Sequence, residues 1–86
     1  MIRIHLSAIL GEKRWTQAKL AQVTGIRPST ISEMYRELCT RVNLEHLDLI
    51  CEALDIPLNK LVTFEPNKIP KIERNYEGKP IRPVKE

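Results

Sequence analysis

Aromatic residues are scarce in this 86-residue chain, which has only Trp15, Tyr35, Phe64 and Tyr76. A core with so few of them must rest on Leu, Ile, Val, Met and Ala, which suits short packed helices. Cysteine is scarcer still. Cys39 and Cys51 are too few for the disulfide framework of a small secreted domain. No signal peptide is recognisable, so the expected compartment is reducing cytoplasm. With His5 and His46 the cysteines complete no familiar metal-ligand spacing. Cys51 falls on an apolar helix face, where a core thiol is the default. No apolar run is long enough to span a bilayer. The three glycines form no phosphate-cradling loop, and no nucleophile and base stand at a recognisable spacing. So short a chain also has little room for a deep pocket. Neither catalysis nor a cofactor is expected.

Net charge is a modest +3, and its distribution says more than its sum. Between Lys13 and Arg41 stand Lys13, Arg14, Lys19, Arg27, Arg36 and Arg41, against only Glu33 and Glu37. Between Asn43 and Asp55 the charges are all acidic: Glu45, Asp48, Glu52 and Asp55. A basic front and an acidic back suit a polyanion-binding domain, because attraction to phosphate depends on local charge. Ordinary solvated charge would look the same.

Ile2, Ile4 and Leu6 alternate with Arg3 and His5, a pattern too short to separate an extended segment from a helix start. Leu6, Ile9 and Leu10 share one face of a first helix running to Arg14. Thr16 is a good cap for a second helix from Gln17 to Thr24, and Gly25 suits its left-handed end. Pro28 fits the first position of a third helix. Its Met34 and Tyr35 lie within about 60° of Ile31 on the wheel. Asn43 caps a fourth helix with Leu44, Leu47, Ile50, Cys51 and Leu54 on one side. Pro57 opens a short fifth through Leu61, and Phe64 closes the core. These elements make residues 1–64 one domain. Four of the six prolines fall in the remaining stretch, 65–86, so that stretch cannot be a regular helix. It reads as a basic tail, extended or disordered, whose Ile69, Ile72, Tyr76 and Ile81 leave room to dock on a partner.

The second and third helices carry the most specific pattern. Small Ala21 permits a steep crossing, Gly25 and Ile26 make a tight turn, and Ile31 and Met34 anchor the third helix by one side only. Its other side is left free to enter a major groove. The stretch Thr16-Gln17-Ala18-Lys19-Leu20-Ala21-Gln22-Val23-Thr24-Gly25-Ile26, with Pro28-Ser29-Thr30-Ile31-Ser32, resembles the Cro/phage-repressor-type (XRE-type) helix-turn-helix family. Residues 43–57 resemble that family's fourth and fifth helices. The resemblance covers roughly residues 6–64. It implies an all-α, compact five-helix lambda-repressor-like domain with an extended C-terminal tail. It also implies a transcriptional repressor, of bacterial or phage origin, that binds operator DNA as a homodimer.

Carried over residue by residue, the resemblance makes Gln17 a phosphate ligand at a helix N-terminus. Arg27, Pro28, Ser29 and Glu33 are the base-contact candidates, with Arg27 suited to guanine and Glu33 to the cytosine amino group. Thr16, Lys19, Thr30, Arg36, Thr40, Arg41 and Asn43 are the backbone candidates. Each has a plainer alternative. Glu33 and Arg36 could pair with each other along the helix, and Trp15 and Tyr35 read as core packing. Two departures from the family stand out. Lys19 replaces the acid that often completes the cap, and the loop 36–41 carries Glu37, which should reduce attraction to the DNA backbone. A second function remains open: the same fold as an antitoxin, anti-repressor or adaptor that meets a protein partner through residues 65–86.

Overall fold

Five helices account for the body of the fold, and two small sheets account for its ends. The structure, a computed structural model, describes residues 1–84. The order is β1 (Ile2–Ile4), α1 (Leu6–Lys13), α2 (Gln17–Thr24), α3 (Pro28–Tyr35), α4 (Leu44–Leu54), α5 (Leu58–Leu61), β2 (Val62–Phe64), β3 (Ile72–Arg74) and β4 (Pro80–Pro83).

The helix boundaries follow from local chemistry. The Thr16 hydroxyl accepts the Lys19 N–H at 3.0 Å and the Asn43 side-chain oxygen accepts that of Glu45 at 2.8 Å, each satisfying a donor that the first helical turn leaves open. Pro28 occupies the first turn of α3. Left-handed residues close three helices: Arg14 after α1, Gly25 after α2 and Asp55 after α4.

The core is aliphatic throughout. Leu6, Ile9, Leu10, Leu20, Ile31, Met34, Ile50, Leu54 and Leu61 are buried with no buried polar or charged residue among them. Trp15 and Tyr35 are half-buried and packed against this cluster, the role their positions suggested. Two expected core residues are not in it. Phe64 is 66% exposed and Leu44 is 79% exposed. Leu44 is the first residue of α4, ahead of the turn where Leu47 meets the core, and Phe64 lies at the open end of β2.

A purely helical fold is not what forms. β1 and β2 pair antiparallel, with Ile2 opposite Phe64, Arg3 opposite Thr63 and Ile4 opposite Val62. The N-terminal alternation is therefore a strand, fastened beyond its ends by His5 N–H to the Leu61 carbonyl and Glu65 N–H to the Met1 carbonyl, both 2.8 Å. The expected extended or disordered tail is ordered as a second antiparallel pair, β3 with β4, as far as it lies within the described residues; residues 85 and 86 lie outside them. The prolines allow this because a two-stranded sheet is all edge, where a missing N–H is tolerated. Gly78 at φ +80 makes the turn, and the Asn75 side-chain oxygen accepts the Glu77 and Lys79 N–H groups, each at 3.0 Å. The hairpin stands clear of the helices. The chain measures 50 × 22 × 20 Å with a radius of gyration of 16.0 Å, where a compact chain of this length has about 12 Å. Among the described residues no helix is long and apolar enough to cross a membrane.

Candidate nucleic-acid interface

The turn between α2 and α3 is held by more than its glycine. Gly25 adopts φ +76 and donates its N–H to the Ala21 carbonyl at 2.9 Å. Thr24 adds a second tie: its hydroxyl donates to the Leu20 carbonyl at 2.7 Å and accepts the Ile26 N–H at 3.3 Å. A hydroxyl residue beside a helix-ending glycine is a local hydrogen-bonder, a signal in the sequence that marks Thr24 as part of the turn. Leu20, Ala21, Ile26, Ile31 and Met34 are all buried, so α3 is gripped along one side.

Its opposite side is open. Arg27, Pro28, Ser29, Glu33 and Arg36 are exposed, and Thr30 and Ser32 are half-buried. Ser29, Glu33 and Arg36 recur at helical spacing along one stripe. The alternative Glu33–Arg36 pair does not form, and none of the Arg27, Ser29, Glu33 or Arg36 side chains has a hydrogen-bond or ion-pair partner among the described residues. Arg27 stands at the N-cap position of α3, and its side chain makes no capping bond.

Two open depressions flank this stripe. Thr30, Glu33, Arg41 and Asn43 line one of about 350 Å³, together with His46, a half-buried residue that no motif marks as part of the site. Gln17 and Pro28 line another of about 410 Å³ between α2 and the start of α3. Thr40 is exposed and stands on a third, beside Arg41. Thr16 and Lys19 lie at the α2 N-terminus, where the helix dipole favours an anion. The Lys19 ammonium sits 4.3 Å from the centre of the Trp15 ring, which orients the cation and covers that ring face. The Asn43 side-chain oxygen serves its cap, which leaves the amide hydrogens as donors for a ligand.

Glu37 differs most from expectation. It does not weigh on the face as an uncompensated acid. It sits at φ +55 just past α3 and accepts two bonds from the Arg3 guanidinium, at 2.8 and 3.0 Å, and one from the Ile4 N–H at 2.9 Å. Those bonds hold its carboxyl at about 2, well below the usual carboxylate range, with Arg3 the largest cause. Strand β1 is thereby tied to the end of α3. The partner lies 34 residues away, beyond any local pattern.

The profile of the Cro/C1-type helix-turn-helix DNA-binding domain matches residues 5–67. Among solved structures, a Bacteroides fragilis protein assigned as DNA-binding superposes with a TM-score of 0.66 at 25% identity, over 73% of this chain and all of that one. The SinR protein in its complex with SinI superposes with a TM-score of 0.61 at 23% identity, over 65% of this chain and 54% of that one. Two archaeal proteins match a shorter stretch: transcription initiation factor IIB of Methanoregula boonei and of Methanosphaerula palustris. Each is 40% identical over 42 residues, which are 49% of this chain. The match spans only 13% of the length of those curated relatives.

Proposed function

This chain belongs to the Cro/C1-type helix-turn-helix DNA-binding family, and from that premise we propose that it is a repressor that binds an operator as a homodimer in the cytoplasm of a bacterium or phage host. The observation that carries the reading is the outer stripe of α3, whose Arg27, Ser29, Glu33 and Arg36 side chains are exposed and have no partner among the described residues. Side chains without internal partners, on a helix gripped from behind, can meet base edges without first breaking a bond. Arg27 takes guanine O6 and N7, Glu33 accepts from the cytosine amino group, and Pro28 and Ser29 make the closest approach at the helix start. Thr16, Gln17, Lys19, Thr30, Arg36, Thr40, Arg41 and Asn43 fix the register on phosphate. In this reading residues 1–64 form the DNA-binding body, and residues 65–86 are a separate arm.

Selection of bound duplexes from a random pool tests this directly. The expected outcome is a palindromic consensus with half-sites about one helical turn apart. Arg27→Ala should relax one position of that consensus and weaken binding by about 1–3 kcal/mol. A pool with no enriched sequence would overturn sequence-specific binding, and a consensus of one unrepeated half-site would overturn the homodimer.

A further inference from the structure

The β3–β4 hairpin is unfinished as a sheet. Two strands without a third strand or a helix against them hold together weakly in water, and this pair leaves Ile72 and Ile81 exposed. Its two edges differ. In an antiparallel ladder, peptide groups along a strand turn alternately inward and outward. Val84 donates its N–H to the Lys71 carbonyl at 2.9 Å and Asn75 donates to that of Lys79 at 3.0 Å, so the odd-numbered residues of this segment face β4. Ile72 and Arg74 therefore turn their N–H and C=O groups outward. On the far side the outward residue Pro83 has no N–H to offer, and Pro80 has none either. The β4 edge offers acceptors without donors, whereas the β3 edge offers both.

Charge selects the same edge. Glu73 is held by Arg82 in two bonds of 2.7 and 3.1 Å, and Glu77 lies 3.6 Å from Lys79. Lys68, Lys71 and Arg74 have no acidic partner among the described residues, although the Arg74 guanidinium donates one bond to the Gly78 carbonyl at 2.8 Å, and all three lie on β3 or its approach. We propose that the open edge of β3 docks an extended acidic segment of a partner protein, added as a third strand. The main chain of Ile72 and Arg74 would supply the pairing, and Lys68, Lys71 and Arg74 the preference for carboxylates. A second copy of β3 fits less well, because it would bring Lys71 and Arg74 of both chains together. Duplex DNA would answer the charge but leave the outward peptide groups unpaired. The hairpin lies outside the family-matched residues 5–67, so this inference does not depend on the DNA reading.

The test uses the full chain and a fluorescent peptide of roughly ten residues with Glu at every third position and Val between, so that carboxylates reach both faces of the sheet, followed by anisotropy. A second peptide of the same charge is N-methylated on alternate residues, so that it cannot pair along an edge. Saturable binding of the first is expected, with the second weaker by about tenfold or more. Amide exchange at Ile72 and Arg74 should slow about tenfold at saturation. The double variants Lys71→Gln/Arg74→Gln and Lys71→Glu/Arg74→Glu should weaken binding in that order, while protected Asn75 and Val84 amides show that each keeps its hairpin. Absence of binding, or equal binding of the N-methylated peptide, would overturn strand addition. The idea also fails if the double variants lose affinity for a duplex DNA fragment while the peptide binds unchanged.

Discussion

Gly25 separates two effects that usually arrive together. It holds φ +76, and a Cβ built there would meet no atom within 4 Å. L-Alanine at this position therefore brings no clash, and its cost is the backbone alone. Holding an ordinary L-residue in the left-handed region costs roughly 1–2 kcal/mol. Alanine recovers about 0.4–1 kcal/mol of that by restricting the unfolded chain. The net loss for Gly25→Ala is then between about zero and 1.6 kcal/mol, centred near 0.8, or a melting point lower by roughly 3–6 °C at that centre in a domain of this size. Gly25→Asn should lose less, because asparagine tolerates the left-handed region better. Arg14 supplies the converse. It holds φ +56 at the end of α1 while exposed to solvent, so Arg14→Gly should gain a few tenths of a kcal/mol. Urea unfolding followed by far-UV circular dichroism, with the slope held common to all variants, measures each change. A Gly25→Ala protein clearly more stable than the parent, or one less stable than it by more than about 3 kcal/mol, would refute the reasoning. The first result removes the backbone cost, and the second requires a clash that the open space denies.

Three other outcomes follow from the same structure. Glu37 titrates at about 2 in the folded chain against an ordinary 4.5. Its contribution is complete above the ordinary value and fades as pH falls toward 2. The parent should therefore lose stability more steeply than Glu37→Gln over that window, and parallel urea midpoints would mean that the Arg3 tie contributes nothing. Ile31 is fully buried between α2 and the rest of the core, so Ile31→Ala should cost about 2–5 kcal/mol, and a loss well under 1 kcal/mol would deny it that anchoring role. Burial and the nearby Asp48 raise the Cys51 thiol above its ordinary value, so iodoacetamide should label it more slowly in the native protein than in denaturant, as mass spectrometry would show.

The helix-turn-helix was legible because its determinants are local. Leu20, Ala21, Ile31 and Met34 repeat within a few residues of one another, and Thr16, Gly25, Pro28 and Asn43 mark ends by their own backbone chemistry. The strands were not legible. β1 is three residues long and finds its partner at Val62–Phe64, so no window along the chain contains both halves. Proline correctly excluded a helix after residue 65, but it does not exclude an edge strand, and the Asn75–Gly78 turn was the missed sign of a hairpin. Leu44 shows the limit of periodicity, since helical spacing gives an azimuth around the axis and not whether the core extends that far along it. On the candidate interface, exposure of the α3 stripe could be read from the pattern. The neutralisation of Glu37 by Arg3 could not, because that contact joins the middle of β1 to the residue just past α3, 34 positions apart with no periodic relation.

That contact changes the electrostatics expected of the DNA face. With Glu37 paired to Arg3, Glu33 is the one acid left on the α3 stripe, and the cationic candidates for phosphate are Lys19, Arg36 and Arg41. Three neutralised phosphates give a salt slope of roughly −3, which is a loss of about fortyfold between 50 and 200 mM salt. Two copies on a palindrome neutralise six phosphates, which gives a slope of about −5.4, and the same salt step then costs about two-thousandfold. A single body with so few cations would bind in the range of non-specific affinities, whereas operators are held several orders of magnitude tighter. The slope of affinity against salt thus tests the proposed homodimer, distinguishing one body from two without any knowledge of the operator.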